Sequence, residues 1–206
     1  IRIVTSAGEE DFITYPSGSK ILIKDLQFHI GGGGTNTAVS FSKLGLKTAF
    51  LGKLGTDANA QRVLELLKEE GVTFLGAQEG QTGYSIVLDS IEHDRTILTF
   101  KGANDKLVLA DLDFSQLQAK WLYSSSLVGL SFETLKAVVD YAAHHTINVA
   151  FNPSNYQAKL GYEALSGVLN KATALILNKE EAQLLTGTQN QEQELALQLT
   201  KGATRY

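Results

Sequence analysis

The stretch Gly31-Gly32-Gly33-Gly34-Thr35-Asn36-Thr37-Ala38 stands between a strand-like segment and a helical one. Glycines let a backbone take positive φ and approach a ligand closely. Unpaired N–H groups at the following helix start favour hydroxyl oxygens or anions. Two familiar phosphate loops are excluded by spacing. No Gly-Lys-Ser/Thr closes the run, as a Walker A loop requires. The third glycine of a dinucleotide fingerprint would fall on Asn36 or Thr37, which disfavours a dinucleotide-dependent oxidoreductase. A second polar spacing, Asn178-Lys179-Glu180-Glu181, is a capping-box pattern at a helix start, with Gly187 suited to the helix end. Ser124-Ser125-Ser126 lacks the glycines of a nucleophile elbow, so a serine hydrolase is not supported. His144 and His145 are neighbours near a helix end and do not share a face, which argues against a paired-histidine metal site.

These residues need elements to position them, and the sequence has two textures. The first is strand-like: Ile21-Leu22-Ile23, then Leu26, Phe28 and Ile30. Tyr84–Leu88 and Thr96–Phe100 flank a polar turn at 91–95, which reads as a hairpin. The second texture alternates helix and strand. Ala60, Val63, Leu64 and Leu67 repeat with helical spacing, as do Leu135, Val138, Val139 and Ala142. Thr56 or Asp57 can cap the first of these helices and Gly71 can end it. Short apolar runs at 49–51, 121–123, 147–151 and 174–177 lie between helices. That alternation implies a parallel sheet covered on both faces, with ligands beyond the carboxyl ends of its strands. Residues 52–57, 124–126, 152–154 and 178–181 are then the ones to watch.

Composition sets outer limits. The chain has 206 residues, 43% apolar and 19% charged, with net charge −4. That is a globular chain able to bury a core. No basic stripe is present, so nucleic acid and anionic membrane are poor partners. There is no cysteine, hence no disulfide, thiolate metal site or cysteine nucleophile. No stretch reaches the ~18–20 apolar residues of a membrane span. Cytoplasm is the expected location. Methionine is absent even at position 1, and the chain ends at Lys201–Tyr206 where another strand would begin. A chain cut at both ends is expected.

Gly32-Gly33-Gly34-Thr35-Asn36-Thr37-Ala38, with Gly45 and Gly55 following, resembles the first signature of the ribokinase-like sugar kinases of phosphofructokinase-B type. Gly52-Lys53-Leu54-Gly55-Thr56-Asp57 extends the likeness, and so do Gly102-Ala103-Asn104, Asn152-Pro153-Ser154 and Asn178-x-x-Glu181. The resemblance implies a three-layer α/β/α core with a mostly parallel sheet plus a small β-sheet lid. The lid would comprise residues 1–30 with 82–102, and the core 31–81 with 103–206. It further implies that Gly32, Gly33, Gly34 and Asn36 meet the acceptor's hydroxyls, with Asn104 on the same side. An amide suits that work because it both donates and accepts. Asn36 also reads as a helix cap, and Asn104 as a turn residue. Asn152, Asn178 and Glu181 would serve the nucleotide side, Glu181 by holding magnesium-bound water. ATP and Mg²⁺ are the implied cofactors. Arg95 reads as a phosphate contact or a solvated turn residue, and Ser124–Ser126 as a further wall of the pocket.

The second signature of that family, Asp-Thr-x-Gly-Ala-Gly-Asp with its general base, does not occur in these residues. No catalytic residue is therefore assigned within this chain. The expected activity of the parent protein is ATP-dependent phosphoryl transfer to a hydroxyl of a sugar or similar small molecule. A nucleoside kinase of the same fold is the near alternative, with Phe28, Tyr84 and Phe100 available for a base. A non-catalytic sugar-binding or regulatory module is the alternative from another class. A homodimer through the lid strands is the expected assembly.

Overall fold

The computed structural model describes residues 2–5, 8–11, 14–23, 25–89 and 95–188. The chain divides into two compact units, Ile1–His29 with Ser85–Thr99, and Ile30–Tyr84 with Phe100–Tyr206.

In the first unit, β1 (Arg2–Thr5) and β2 (Gly8–Asp11) form an antiparallel pair with Arg2 opposite Asp11 and Thr5 opposite Gly8. The apolar pattern at 21–30 predicts strands, yet the described residues among them join no ladder, and Leu22 is 95% exposed. A β pattern in sequence describes a surface that fits a sheet, and without a paired neighbour it forms no strand.

The second unit opens with α1 (Gly33–Lys43), β3 (Ala49–Phe50), β4 (Lys53–Leu54), α2 (Ala58–Glu69), β5 (Thr73–Phe74) and β6 (Ala77–Gln78). Helix α2 forms where the spacing places it. Asp57 caps it, with its carboxylate accepting from the Ala60 N–H at 3.0 Å. Ala60 and Leu67 are buried, and the chain leaves through Gly71 at φ 69. This crossover makes β3 parallel to β5 and β4 parallel to β6. Ala38, Leu67 and Val72 form a small core there with Phe50, Val63 and Phe74.

The chain then runs through β7 (Tyr84–Asp89) and β8 (Arg95–Phe100), which pair with each other. The Ser85 and Thr99 hydroxyls lie 3.1 Å apart across this pair. The expected turn between the strands lies largely outside the described residues, as do the side chain of Arg95 and the carboxyl-terminal stretch that includes Lys201–Tyr206.

The rest of the second unit comprises β9 (Trp121–Ser124), α3 (Leu130–His144), β10 (Asn148–Phe151), α4 (Asn155–Ala158), α5 (Gly161–Leu169), β11 (Ala174–Leu175) and α6 (Lys179–Thr186). Strands β9, β10 and β11 form one parallel sheet in the order β11-β10-β9. The main core fills the space between this sheet and its helices, with Leu135, Val139 and Ala142 of α3, Val149 and Phe151 of β10, and Leu165 and Val168 of α5. Phe151 is fully buried, and burying a side chain of this size contributes ~1.5–3 kcal/mol. The register places Ser124 and Leu175 beside Phe151. The residues that follow, Ser125, Asn152 and Ile176, therefore emerge together at the carboxyl edge. Among the described residues no helix is long and apolar enough to cross a membrane.

Candidate functional site

Helix α1 begins at Gly33 with Gly32 as its cap residue at φ 95, and no side chain caps it. The first turn closes with the Asn36 N–H donating to the Gly32 carbonyl at 2.9 Å. The N–H groups of Gly33, Gly34 and Thr35 precede that bond and face out of the helix start. Each glycine here has its own cause. Gly32 needs positive φ. A Cβ on Gly33 would overlap the Ser125 hydroxyl, and one on Gly34 would stand 3.0 Å from the Phe50 ring. Asn36 is not the cap, because the helix starts three residues before it. Its side chain is exposed on the first turn.

Contacts link this turn to the strand ends. Ser125 touches Gly33, and the neighbouring Ser126 hydroxyl lies 2.6 Å from that of Ser154. Asn155 donates to Glu180 at 3.4 Å, reaching the start of α6. The glycine run, the Asn152-Pro153-Ser154 turn and the Asn178–Glu181 segment are thus joined in one series. Asn152 spans all three strand ends. Its amide nitrogen donates to the Ile176 carbonyl at 2.8 Å, and its oxygen accepts from the Tyr123 hydroxyl at 3.2 Å. Burial pushes the Tyr123 phenol up. Asn178 and Glu181 form a reciprocal capping box: the Glu181 N–H donates to Asn178 Oδ1 at 2.8 Å, and the Asn178 N–H donates to Glu181 Oε2 at 3.0 Å. That leaves Glu181 Oε1 outside the box.

The Gly52–Asp57 turn is held from below. Lys53 is 5% exposed and its ammonium meets Glu79 at 2.7 Å and Asp111 at 3.0 Å. Glu79 and Asp111, opposed by burial, hold its pKa above the ordinary value. Burial alone would push the Asp111 carboxyl up, but the Val108 N–H and Lys53 bring it below the usual carboxylate range. Gly55 packs so tightly on the backbone at 80–82 that a Cβ would overlap the Thr82 nitrogen. Thr82 accepts from the Gly55 N–H at 3.0 Å and is itself bound by Asp57. Nothing in the sequence pattern singles out Thr82 or Asp111; their role comes from partners 25 and 58 residues away.

Asn104 lies in a short 3₁₀ turn, Gly102–Asp105, and is exposed. Its amide packs on Gly83, where a Cβ would come within 2.6 Å of Nδ2. The segment that follows is pinned to α3. Ser131 accepts from the Leu107 N–H at 2.8 Å, and Thr134 donates to the Leu107 carbonyl at 2.7 Å. Both backbone groups of a buried residue are satisfied by side chains of one helix.

Among the described residues no cluster of three or more histidines and carboxylates is placed to hold a metal. Magnesium bound to phosphates and water needs only one or two protein carboxylates. A single half-buried Glu181 with one oxygen outside its capping box fits that demand.

A parallel sheet with an uncapped glycine helix start and amides at its strand ends defines a ribokinase-like α/β fold. Solved structures agree. A ribokinase from Giardia lamblia superposes with a TM-score of 0.76 at 20% identity, covering 92% of this chain and 62% of that one. An adenosine kinase from Schistosoma mansoni gives 0.75 at 16% identity, covering 88% and 59%. The chain belongs to the pfkB family of carbohydrate kinases, whose profile matches residues 4–205. It is 27% identical over 154 residues to an uncharacterized sugar kinase of Archaeoglobus fulgidus, covering 71% of this chain and 60% of that protein. It is 26% identical over 207 residues to a ribokinase of Staphylococcus aureus, covering 91% and 63%. The chain thus spans less than two thirds of the length of these relatives.

Proposed function

We propose that the intact protein transfers the γ-phosphoryl group of ATP to a hydroxyl of a sugar or sugar-like acceptor. The observation that carries this reading is the uncapped start of α1 at Gly33, joined by contact to the Asn152 turn and the Asn178–Glu181 box in a pfkB-family chain. In this reading the N–H groups of Gly33, Gly34 and Thr35 and the Asn36 amide hold the acceptor's hydroxyls. Asn104 adds a further amide on the acceptor side. Asn152 and Asn178 serve the nucleotide side, and Glu181 Oε1 holds magnesium-bound water. Bound Mg²⁺ would offset phosphate charge, and positioning accounts for most of the rest in this chemistry. The general base is expected outside these 206 residues.

The first unit, extended to residues 1–30 with 82–102, is read as a lid that excludes water on closure, and residues 31–81 with 103–206 as the core. Its strands are the proposed dimer contact, since unpaired edges invite pairing. A cytoplasmic location fits a cysteine-free, ATP-using enzyme. A nucleoside acceptor is the second reading, favoured by the Tyr84 and Phe100 rings, 5.5 Å apart and half-exposed.

The test is ADP release by the full-length protein with Mg-ATP and a panel of pentoses, hexoses, keto-deoxy acids and nucleosides. Release that depends on one acceptor supports the reading and names the substrate class. No acceptor-dependent release from folded, full-length protein would leave the non-catalytic sugar-binding module in its place.

A further inference from the structure

Three of the segments joined at the strand ends, Gly31–Asn36, Ser124–Ser126 and Asn152–Tyr156, contain hydroxyls, amides and backbone N–H groups but no charged side chain; the fourth, Asn178–Glu181, carries Lys179, Glu180 and Glu181, with Glu180 accepting from Asn155. Lys101 reaches the uncharged part of this wall. The Lys101 ammonium lies 5.5 Å from the centroid of the Tyr156 ring. Lys101 directly precedes the Gly102–Asp105 turn, and its carbonyl and the Asn104 amide crowd the same face of Gly83. Tyr156 is two residues beyond Ser154, which is bound to Ser126. The lysine therefore bridges the Asn104 side of the wall and the Asn152 side.

Lys136 also lies over a ring, that of Phe132, but pairs with a carboxylate as well. Lys43, Lys53, Lys136 and Lys171 each meet a carboxylate. Among the described residues Lys101 meets none, and the ring it rests on is 59% exposed. A cation over an exposed aromatic face is held weakly. A charge-assisted bond to a carboxylate or phosphate is stronger and directional. An ammonium resting on a ring beside uncharged hydroxyl-binding groups is placed to exchange the ring for an anion.

We propose that Lys101, oriented by Tyr156, is a specificity-determining residue that reads an anionic group on a polyhydroxy acceptor. The proposal rests on the phosphoryl-transfer reading above and narrows its acceptor to an acidic or phosphorylated sugar. Gly33, Gly34 and Asn36 take the hydroxyls, and Lys101 takes the charge.

The test is calorimetric binding to the full-length protein without nucleotide, using gluconate, fructose 6-phosphate, fructose and ribose, followed by steady-state kinetics with ATP. At least one anionic probe should bind more tightly than the neutral sugars. Lys101→Met should weaken it by ~10-fold or more, the usual worth of a charged hydrogen bond. Binding of neutral sugars and the KM for ATP should stay within about twofold, because uncharged contacts remain. Lys101→Arg should retain most of the preference, and Tyr156→Leu should lose part of it with the folded state intact. Which anion responds separates a carboxylate reader from a phosphate reader. Equal or tighter binding of the neutral sugars by the unaltered protein overturns the proposal. So does a Lys101→Met loss shared by neutral sugars, or one that appears in the KM for ATP instead. Turnover confined to neutral sugars keeps the kinase and removes the role of Lys101. Lys101-dependent anion binding without any ADP release removes the kinase and keeps the anion reader.

Discussion

Asp57 and Thr82 are joined at two points. Asp57 Oδ1 accepts from the Thr82 hydroxyl at 2.7 Å, and Oδ2 accepts from the Thr82 backbone N–H at 2.8 Å. The same carboxylate caps α2, so one side chain fastens the Gly52–Asp57 turn to the strand-leading segment before β7.

Asp57→Asn should lower stability by ~2–3 kcal/mol, since charged hydrogen bonds are each worth ~1.5–3 kcal/mol and asparagine keeps only part of the cap. The Thr82 hydroxyl, then the Thr82 and Ala60 N–H groups, hold the Asp57 carboxyl below its ordinary pKa. The folded protein therefore binds this proton less readily than the unfolded chain. The stabilisation is complete above the ordinary carboxylate pKa of ~4 and is lost as pH falls through the folded value. Urea unfolding at several pH values should show the gap between Asp57→Asn and the unaltered protein closing on the acid side. A gap that stays constant with pH would contradict this account.

Gly33→Ala should reduce both thermal stability and acceptor binding, because the added methyl overlaps the Ser125 hydroxyl. Ser125→Ala removes the overlapped oxygen and leaves a 3.3 Å contact with Cβ. The double variant should recover much of the lost melting temperature, giving a favourable coupling of ~1 kcal/mol or more in a mutant cycle. Simple additivity would show that the two residues do not meet.

Glu181→Gln separates two roles. Glutamine can serve in a capping box, so the melting temperature should barely change. On the proposed reading the charge that holds magnesium-bound water is lost, so the Mg²⁺ concentration for half-maximal turnover should rise several-fold. Glu181→Ala should lose both, with a stability cost of ~1 kcal/mol. Unchanged Mg²⁺ dependence in Glu181→Gln would confine this residue to the cap.

Lys53→Met should be the most damaging of these substitutions, at ~3 kcal/mol or more, since it leaves the partly buried Asp111 carboxylate with only the Val108 N–H as partner. Glu79→Gln should cost under ~1 kcal/mol because its side chain is 76% exposed. Chemical denaturation of the two variants checks the ranking, and a larger loss from Glu79→Gln would reverse the assignment.

What the sequence made legible was local. The α2 spacing with Asp57 and Gly71 specifies a helix and both its ends within one stretch of chain. The same holds for the parallel strands between helices and for the Asn178–Glu181 box. Residues 21–30 misled because strand formation depends on a neighbour the pattern does not name. The alternative reading of Asn36 as a cap fails for another reason: it had the chemistry of a cap, but the helix begins earlier, on glycine. Thr82, Asp111 and Tyr123 were silent because their work is defined by partners distant in sequence. Lys101 and Tyr156 were silent for the same reason, as a lysine before a turn and a tyrosine after one have no shared spacing.

The Phe50 ring lies under two glycines at once. A Cβ on Gly34 would come within 3.0 Å of one ring edge, and a Cβ on Gly52 within 2.8 Å of the other. This gives the three positions an order in which they can change. While the ring remains, alanine at 34 or 52 is obstructed; once leucine or valine replaces it, both sites open together. Directed evolution of this chain should therefore find side chains at 34 and 52 only in lineages that have already lost the aromatic at 50, and reverting that position afterwards should be blocked.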